Sequence, residues 1–204
     1  MKKLLVIGLA LVVITGCFPK QFKYEQVKES VVFIKQMNDE WSATGFIVNS
    51  EGIVITARHV VEGQEEVKVR LCDGTWLEGL VIFEGNDIDI GIIQLPLGDY
   101  KSLKLAEKDP NMGEPLWTVG IPLGDENGYI FGFGSVCGWS DVPFFGKGKF
   151  LLSDIHIQPG HSGSPVFNKD GEVCGIVVGY GNHNLAFFLS IESMQRPLSF
   201  LEIK

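Results

Sequence analysis

The sequence has little positive charge, few cysteines and no C-x-x-C pair. Its 17 lysines and arginines are outnumbered by 25 acidic residues, which gives a formal net charge of −8. Because no basic stripe is present to neutralise phosphates, nucleic acid is not an expected partner. The four cysteines are too few and too scattered for a disulfide scaffold or a structural zinc site. We therefore expect no metal and no other cofactor.

Long apolar runs are also missing. The most apolar run, residues 4–14, follows Met1-Lys2-Lys3 and is shorter than the roughly 20 residues that a membrane-spanning helix needs, so it predicts a signal peptide. It ends in Ile14-Thr15-Gly16-Cys17, which resembles a bacterial lipobox. The resemblance implies lipidation of Cys17, with several acyl chains giving stable anchoring in a lipid bilayer. The alternative is a plain signal peptide that happens to precede a cysteine.

These patterns predict a lipoprotein signal peptide over residues 1–16 and a lipidated tether over residues 17–27. The protein would then lie outside the cytoplasm, anchored to a bacterial cell membrane. If Cys17 is lipidated, Cys72, Cys137 and Cys174 remain, an odd number that permits at most one intramolecular disulfide. We interpret these three as small apolar residues buried in strands.

The rest of the chain consists of short β-branched or alternating runs separated by turn residues such as Asp73-Gly74. Six such runs precede residue 100, a polar segment bounded by prolines follows, and six more runs come after it. This pattern predicts an all-β fold of two six-stranded antiparallel β-barrels packed face to face, over residues 28–100 and 101–204. Residues 191–203 are predicted to form a short helix that Pro197 interrupts.

A serine between two glycines stands at the centre of the second half, in Gly160-His161-Ser162-Gly163. Glycines leave the backbone around Ser162 free of Cβ atoms, so that N–H groups of Gly160 and Ser162 can approach a substrate carbonyl as an oxyanion hole. The same pattern also occurs in ordinary turns that join strands. A serine hydroxyl additionally needs a base to accept its proton and a third group to orient that base.

A histidine and two carboxylates upstream have the required chemistry. His59 lies where the chain turns out of the β-branched run 53–56, and Asp89 lies at the head of an apolar strand. Asp87, two residues earlier on the same stretch, competes with Asp89 on chemistry alone. The order along the chain is histidine, aspartate, serine.

Three motifs together resemble the trypsin-like (chymotrypsin-fold) serine peptidases. They are the T-A-x-H tetrad ending at His59, the D-I-G-I-I segment from Asp89 and the G-x-S-G-S segment from Gly160. The segments 44–48 and 120–124 are similar to the HtrA/Deg branch, and the resemblance covers roughly residues 30–193. It implies a His59-Asp89-Ser162 triad in the crevice between the barrels, with the family's D-I-(A/G) pattern selecting Asp89.

The resemblance also implies a serine endopeptidase that acts on polypeptides. It places the primary specificity pocket near His156, Val178 and Gly179. Two residues depart from the family pattern: His161 stands where aspartate or asparagine is usual, and Ser164 where glycine is usual. The chain also ends soon after the second barrel, so we expect no C-terminal PDZ module. The competing hypotheses are a binding protein with a vestigial triad and a serine esterase.

Overall fold

Short apolar strands build a first closed barrel in the computed structural model, which describes residues 24–38, 41–122, 128–141, 145–181 and 185–200. Its strands pair antiparallel in the order β1-β2-β3-β6-β5-β4, and β4 closes the barrel on β1. Their bounds are β1 Val31–Gln36, β2 Ser42–Ile47, β3 Ile53–Thr56, β4 Glu66–Arg70, β5 Trp76–Glu84 and β6 Gly91–Gln94.

A second closed barrel follows the crossing segment, in the order β10-β11-β12-β9-β8-β7. Its strands are β7 Pro115–Gly120, β8 Ile130–Ser140, β9 Phe150–Ser153, β10 Pro165–Phe167, β11 Val173–Tyr180 and β12 Ala186–Ser190. The prediction of an all-β fold with two six-stranded antiparallel barrels is therefore confirmed. One predicted strand is shorter than expected. The apolar strand headed by Asp89 begins only at Gly91, as β6, because residues 85–90 form a turn in which the N–H of Gly85 donates to Ile90 O (3.0 Å).

Both faces of several first-barrel strands are buried. On β3, Val54 points into the barrel interior, whereas Ile53 and Ile55 join a larger core shared with the second barrel. On β6, Ile93 likewise belongs to the barrel interior, and Ile92 belongs to the larger shared core. This double burial explains why these strands appear in the sequence as continuous apolar runs instead of strict alternations.

The helices are short. They are α1 Tyr24–Val27, α2 Arg58–Val61 and α3 Ile191–Phe200, with a 3-10 turn at Lys28–Ser30. The predicted C-terminal helix is confirmed, but Pro197 lies inside it and does not interrupt it. Proline costs the helix one backbone hydrogen bond, and the buried side chains of Met194 and Leu198 on either side keep α3 on the barrel.

The cysteine interpretation holds only for Cys174, which is buried on β11, where burial raises the pKa of its thiol. Cys72 and Cys137 are exposed, contrary to expectation, and all three are free thiols. Cys72 lies in the turn between β4 and β5, and Cys137 lies on an exposed position of β8. Residue 17 and the predicted signal peptide lie outside the described residues. Within the described ranges, no helix is long and apolar enough to cross a membrane.

Two leucines test the burial pattern. Leu189 on β12 is fully buried, whereas Leu97 in the crossing segment is 96% exposed. We expect Leu189→Ala to lower the free energy of unfolding by about 2–5 kcal/mol because it leaves a cavity in the core. Leu97→Ala should change it by less than about 0.5 kcal/mol. Urea denaturation measures both, and equal effects would contradict the described core.

Candidate active site

His59 and Asp89 form a close pair at the rim of the first barrel. The Nδ1 atom of His59 lies 2.9 Å from Asp89 Oδ2 and 3.1 Å from Oδ1, and the backbone N–H of His59 also donates to Oδ1 (3.1 Å). Asp89 is 7% exposed, whereas the His59 side chain is 43% exposed. Because a carboxylate only accepts hydrogen bonds, Nδ1 carries the proton and Nε2 keeps a free lone pair.

The short helix α2 brings His59 to this position. It packs closely over the start of β6, where a Cβ atom on Gly91 would lie 3.2 Å from Ala57 O and would overlap Val61. Arg58 ties the helix to the end of β5 through Glu84 (3.3 Å). The small third residue of the D-I-G segment therefore allows α2 to approach Asp89.

Asp87 has a different partner from Asp89. Its carboxylate pairs with Lys147 Nζ (2.9 Å), and its backbone oxygen accepts the N–H of Lys147. Ile88 pairs with Gly146 in an antiparallel bridge, so residues 86–88 of the first barrel are joined to residues 145–148 of the second. The structure thus separates the two carboxylates that sequence reasoning left in competition.

Ser162 lies in the second of two successive tight turns. The N–H of His161 donates to Gln158 O (3.0 Å), and the N–H of Ser164 donates to His161 O (2.9 Å). Glycine is the third residue of each turn, with φ of +97° at Gly160 and +79° at Gly163. Positive φ at this position is what a type II turn requires, and only glycine adopts it readily. Sequence alone singled out both glycines, and the turns give the reason.

The N–H groups of Gly160 and Ser162 are not used by either turn. Neither donates to any group in the described part of the chain. They are the two donors that sequence analysis predicted for an oxyanion hole, and they remain available to a ligand. The side chain of Ser162 is half-buried, and no hydrogen bond joins it to His59 among the described residues.

Thr44 on β2 holds these turns against the first barrel, a role that sequence reasoning did not assign. Its N–H donates to Ser162 O (3.0 Å), and its hydroxyl donates to Gly160 O (2.9 Å) while accepting the N–H of Ile121 (2.9 Å). The carbonyl of Thr44 accepts the hydroxyl of Thr56 (2.8 Å). In the sequence, Thr44 is only the first residue of the segment 44–48, and that pattern carries no information on the partners of Thr44.

The three residues predicted for the specificity pocket lie in three different environments. Val178 is buried and borders the cleft that contains His59 and Asp89. Gly179 lies under the ring of Phe145, which would collide with any Cβ atom at residue 179. His156 is exposed, with Nε2 3.4 Å from the side-chain nitrogen of Gln158.

An open cleft of about 1080 Å³ runs between the barrels beside the His59–Asp89 pair. Its walls combine Asp89 and Ile88 of the first barrel with Phe145 and Val178 of the second. Phe145 also packs on Phe187, with ring centroids 5.4 Å apart. No cluster of histidine, cysteine and carboxylate side chains suited to a metal ion occurs among the residues that the structure describes.

Comparison with known proteins identifies the family of this chain. A family model described as trypsin-like peptidase domain matches residues 43–176. The chain belongs to the trypsin-like peptidase family. The match of this trypsin-like domain begins one residue before Thr44 and ends on β11, so it contains His59, Asp89 and Ser162.

The chain is also similar to curated proteins that are named as serine proteases. A probable periplasmic serine endoprotease, DegP-like, of Pseudomonas fulva is 34% identical over 143 residues, which are 70% of this chain and 30% of the relative. The putative serine protease HhoB of Synechocystis is 33% identical over 164 residues, 77% of this chain and 39% of the relative. The trypsin-like domain thus spans about a third of the length of these relatives.

Solved structures share the fold. The Rv3671c protease of M. tuberculosis in its inactive form has a TM-score of 0.74 at 21% identity, covering 88% of this chain and 91% of the other. A serine endoprotease from Yersinia pestis has a TM-score of 0.75 at 19% identity, covering 87% of this chain and 64% of that protein. At this level of identity the likeness concerns the fold of the trypsin-like domain alone.

Gly163 offers a sharp test of the Ser162 turn. A Cβ atom there would collide with the Thr56 hydroxyl and the Thr44 carbonyl, whereas one on Gly171 would meet nothing within 4 Å. Both glycines have nearly the same φ, +79° and +80°. We expect Gly171→Ala to cost about 1–2 kcal/mol of unfolding free energy through its backbone conformation. Gly163→Ala should cost about 1–3 kcal/mol more from overpacking.

Chemical denaturation of the two variants side by side provides the measurement. Equal losses would mean that the turn does not lie against β2 and β3 as described.

Proposed function

We propose that this trypsin-like domain is a serine endopeptidase that hydrolyses peptide bonds through an acyl-enzyme, with a His59-Asp89-Ser162 triad. The observation that carries the proposal is the His59–Asp89 pair, which fixes the proton on Nδ1 and leaves Nε2 as a base beside an open cleft. Membership of the trypsin-like peptidase family and the named serine proteases among its relatives support the same activity.

In the proposed mechanism, Ser162 Oγ attacks the scissile carbonyl carbon while His59 Nε2 accepts the hydroxyl proton. The N–H groups of Gly160 and Ser162 hold the resulting oxyanion. The tetrahedral intermediate then collapses, and His59 transfers the proton to the leaving amine, which leaves an acyl group on Ser162. Water attacks this ester as His59 accepts its proton, and the same proton returns to Ser162 when the product acid departs. Asp89 stabilises the imidazolium in both steps.

The turns around Ser162 support the oxyanion role. Thr44 fixes the carbonyl groups of Gly160 and Ser162, and the N–H of Gly163 donates to Val177 O (2.8 Å) on β11. With these groups bound to the barrels, the two free N–H groups need no reorganisation when charge develops on the substrate. Preorganised donors of this kind contribute about 3–4 kcal/mol each to transition-state stabilisation.

Active-site labelling tests the triad. We expect a fluorophosphonate probe to label the wild-type protein and neither Ser162→Ala nor His59→Ala. Asp89→Asn should lower kcat by about 10⁴-fold, because the wrong imidazole tautomer then faces Ser162. Asp87→Asn is the matched control and should retain most of the activity, since Asp87 pairs with Lys147.

Three results would contradict this proposal. Loss of activity in Asp87→Asn with retention in Asp89→Asn would reverse the roles of the two carboxylates. A folded wild-type protein that is not labelled would favour a binding protein on a peptidase scaffold. Labelling combined with turnover of small esters but of no peptide would favour the esterase.

We further propose that the domain works outside the cytoplasm as a lipoprotein, with residues 1–16 removed, Cys17 lipidated and residues 28–204 forming the peptidase. Relatives named as periplasmic endoproteases support an extracytoplasmic location. The basic start, the short apolar run and the Ile14–Cys17 tetrad support the anchor.

Membrane fractionation tests the anchor. In bacteria that express the full chain, we expect the wild type in the membrane fraction with incorporated radiolabelled palmitate. Cys17→Ala should lose both, because no thiol remains to be acylated. Cys72→Ala, which alters an exposed thiol elsewhere, should behave as the wild type. Membrane retention of an unlabelled Cys17→Ala protein would rule out lipidation as the anchor.

A further inference from the structure

A buried histidine lies directly before Ser162. His161 is 1% exposed, and its ring packs against the end of β7, where Cδ2 would lie 2.8 Å from a Cβ atom on Gly120. The Nδ1 atom lies 3.0 Å from Gln158 N and 3.1 Å from Gln158 O. The Nε2 atom is buried without a partner in the described part of the chain. The ring thus contacts the first residue of the turn that presents Gly160.

The hydrogen bonds around Gln158 favour a His161 ring that carries no proton on Nδ1. Gln158 O already accepts the backbone N–H of His161, which closes the turn. Gln158 N–H has Nδ1 as its acceptor, and only a deprotonated Nδ1 accepts. The imidazole therefore closes a second link across the turn, from side chain to backbone. The bond from Gln158 N–H exists only while Nδ1 carries no proton, whereas a protonated Nδ1 would have to share Gln158 O (3.1 Å) with the backbone N–H of His161.

We propose that His161 is a positioning residue for the oxyanion hole and makes it pH-dependent: neutral imidazole holds the 158–161 turn, and protonation releases it. This inference rests on the proposed function of Gly160 and Ser162 as oxyanion donors. Protonation removes the acceptor for Gln158 N–H and creates a buried cation. The turn then loses the bond from Gln158 N–H to the ring, and the N–H of Gly160 is less firmly held toward the site of the developing oxyanion.

The surroundings of His161 oppose its charged form. It is faced by Gly120 of β7, Ser164 just before β10 and the backbone of Gln158, none of which carries charge. Burial is the largest cause acting on the ring, and it outweighs the hydrogen bond to Gln158, which favours the charged form. The positive form of His156 also repels a second cation, so the pKa of His161 lies below its usual range. No carboxylate of the described residues counters this shift.

The sign of the pH effect follows from this shift. At pH values above the ordinary histidine pKa of about 6.5, both the closed and the released turn carry a neutral ring. As the pH falls below that value, a released His161 binds a proton that the closed turn excludes, so the closed turn loses stability progressively until the pH reaches the lowered pKa.

Two substitutions separate the roles of His161. Asparagine places its Oδ1 atom where histidine places Nδ1, so His161→Asn keeps an acceptor for Gln158 N–H but does not titrate. We expect it to retain kcat near pH 8 and to lose activity less steeply in acid than the wild type, whose His161 takes up a proton. His161→Ala has no acceptor, and its kcat should fall by about 10²-fold with little change in KM, as for loss of one oxyanion donor.

Profiles of kcat and KM against pH from 8 to 5 provide the measurement. The proposal is overturned if His161→Asn is as impaired as His161→Ala near pH 8. It is also overturned if the wild type and His161→Asn have equally steep acid limbs.

A second measurement needs no turnover. In Ser162→Ala protein, long-range 1H–15N spectra report which ring nitrogen of His161 carries the proton. We expect an unprotonated Nδ1 and a protonated Nε2 at pH 8, with the Gly160 amide resonance shifting as His161 titrates. A protonated Nδ1 at pH 8 would overturn the positioning role even if the peptidase is active. So would a Gly160 amide chemical shift that does not change as His161 titrates. An inactive wild type with the expected spectra would instead contradict the proposed function.

Discussion

The hydrogen bonds of one buried threonine join the two barrels where the active site is proposed. Thr44 belongs to β2 of the first barrel, yet its hydroxyl and N–H bind the carbonyl groups of Gly160 and Ser162 in the second. The same hydroxyl accepts from Ile121 beyond β7. A buried polar group without partners costs about 1–3 kcal/mol, so these contacts strongly favour one docking of the barrels. The position of Ser162 relative to α2 depends on that docking.

The second constraint is that backbone segments of the site must approach one another closely, which glycine residues allow. Gly163 brings the Ser162 turn against Thr56 and Ala57, at the end of the strand that leads into His59. Gly91 lets α2 lie over β6 beside Asp89. Residues far apart in the sequence thus share a small volume because two positions carry no side chain.

Much of the fold was predictable from the sequence, because strand burial leaves a local pattern. All twelve strands appeared as short apolar or alternating runs, and the T-A-x-H, D-I-G and G-x-S-G segments marked the proposed site residues. Strand ends were less predictable: the turn before Asp89 depends on a backbone bond from Gly85 to Ile90 that propensity does not encode. Pro197 was expected to break a helix that tertiary packing keeps intact.

Contacts between distant segments could not be predicted in this way. The sequence next to Phe145 does not indicate that its ring covers Gly179. Likewise, the sequence next to Asp87 does not indicate that Lys147 is its partner. Cys72 and Cys137 were expected inside the protein because cysteine is often buried, but the turn and strand positions that they occupy face solvent. Pairings of this kind arise from the three-dimensional arrangement, and the local pattern of a single sequence does not indicate them.

The division of the site between barrels has a consequence for biosynthesis. A ribosome completes α2 and Asp89 long before it reaches Ser162, and the turn that presents Ser162 is anchored on β11, which follows later still. A chain arrested anywhere before β11 therefore holds the proposed base without a fixed position for the proposed nucleophile. Under the proposed function, activity would appear only when the last strands close, so that the cell that makes the protein is not exposed to a partly folded protease.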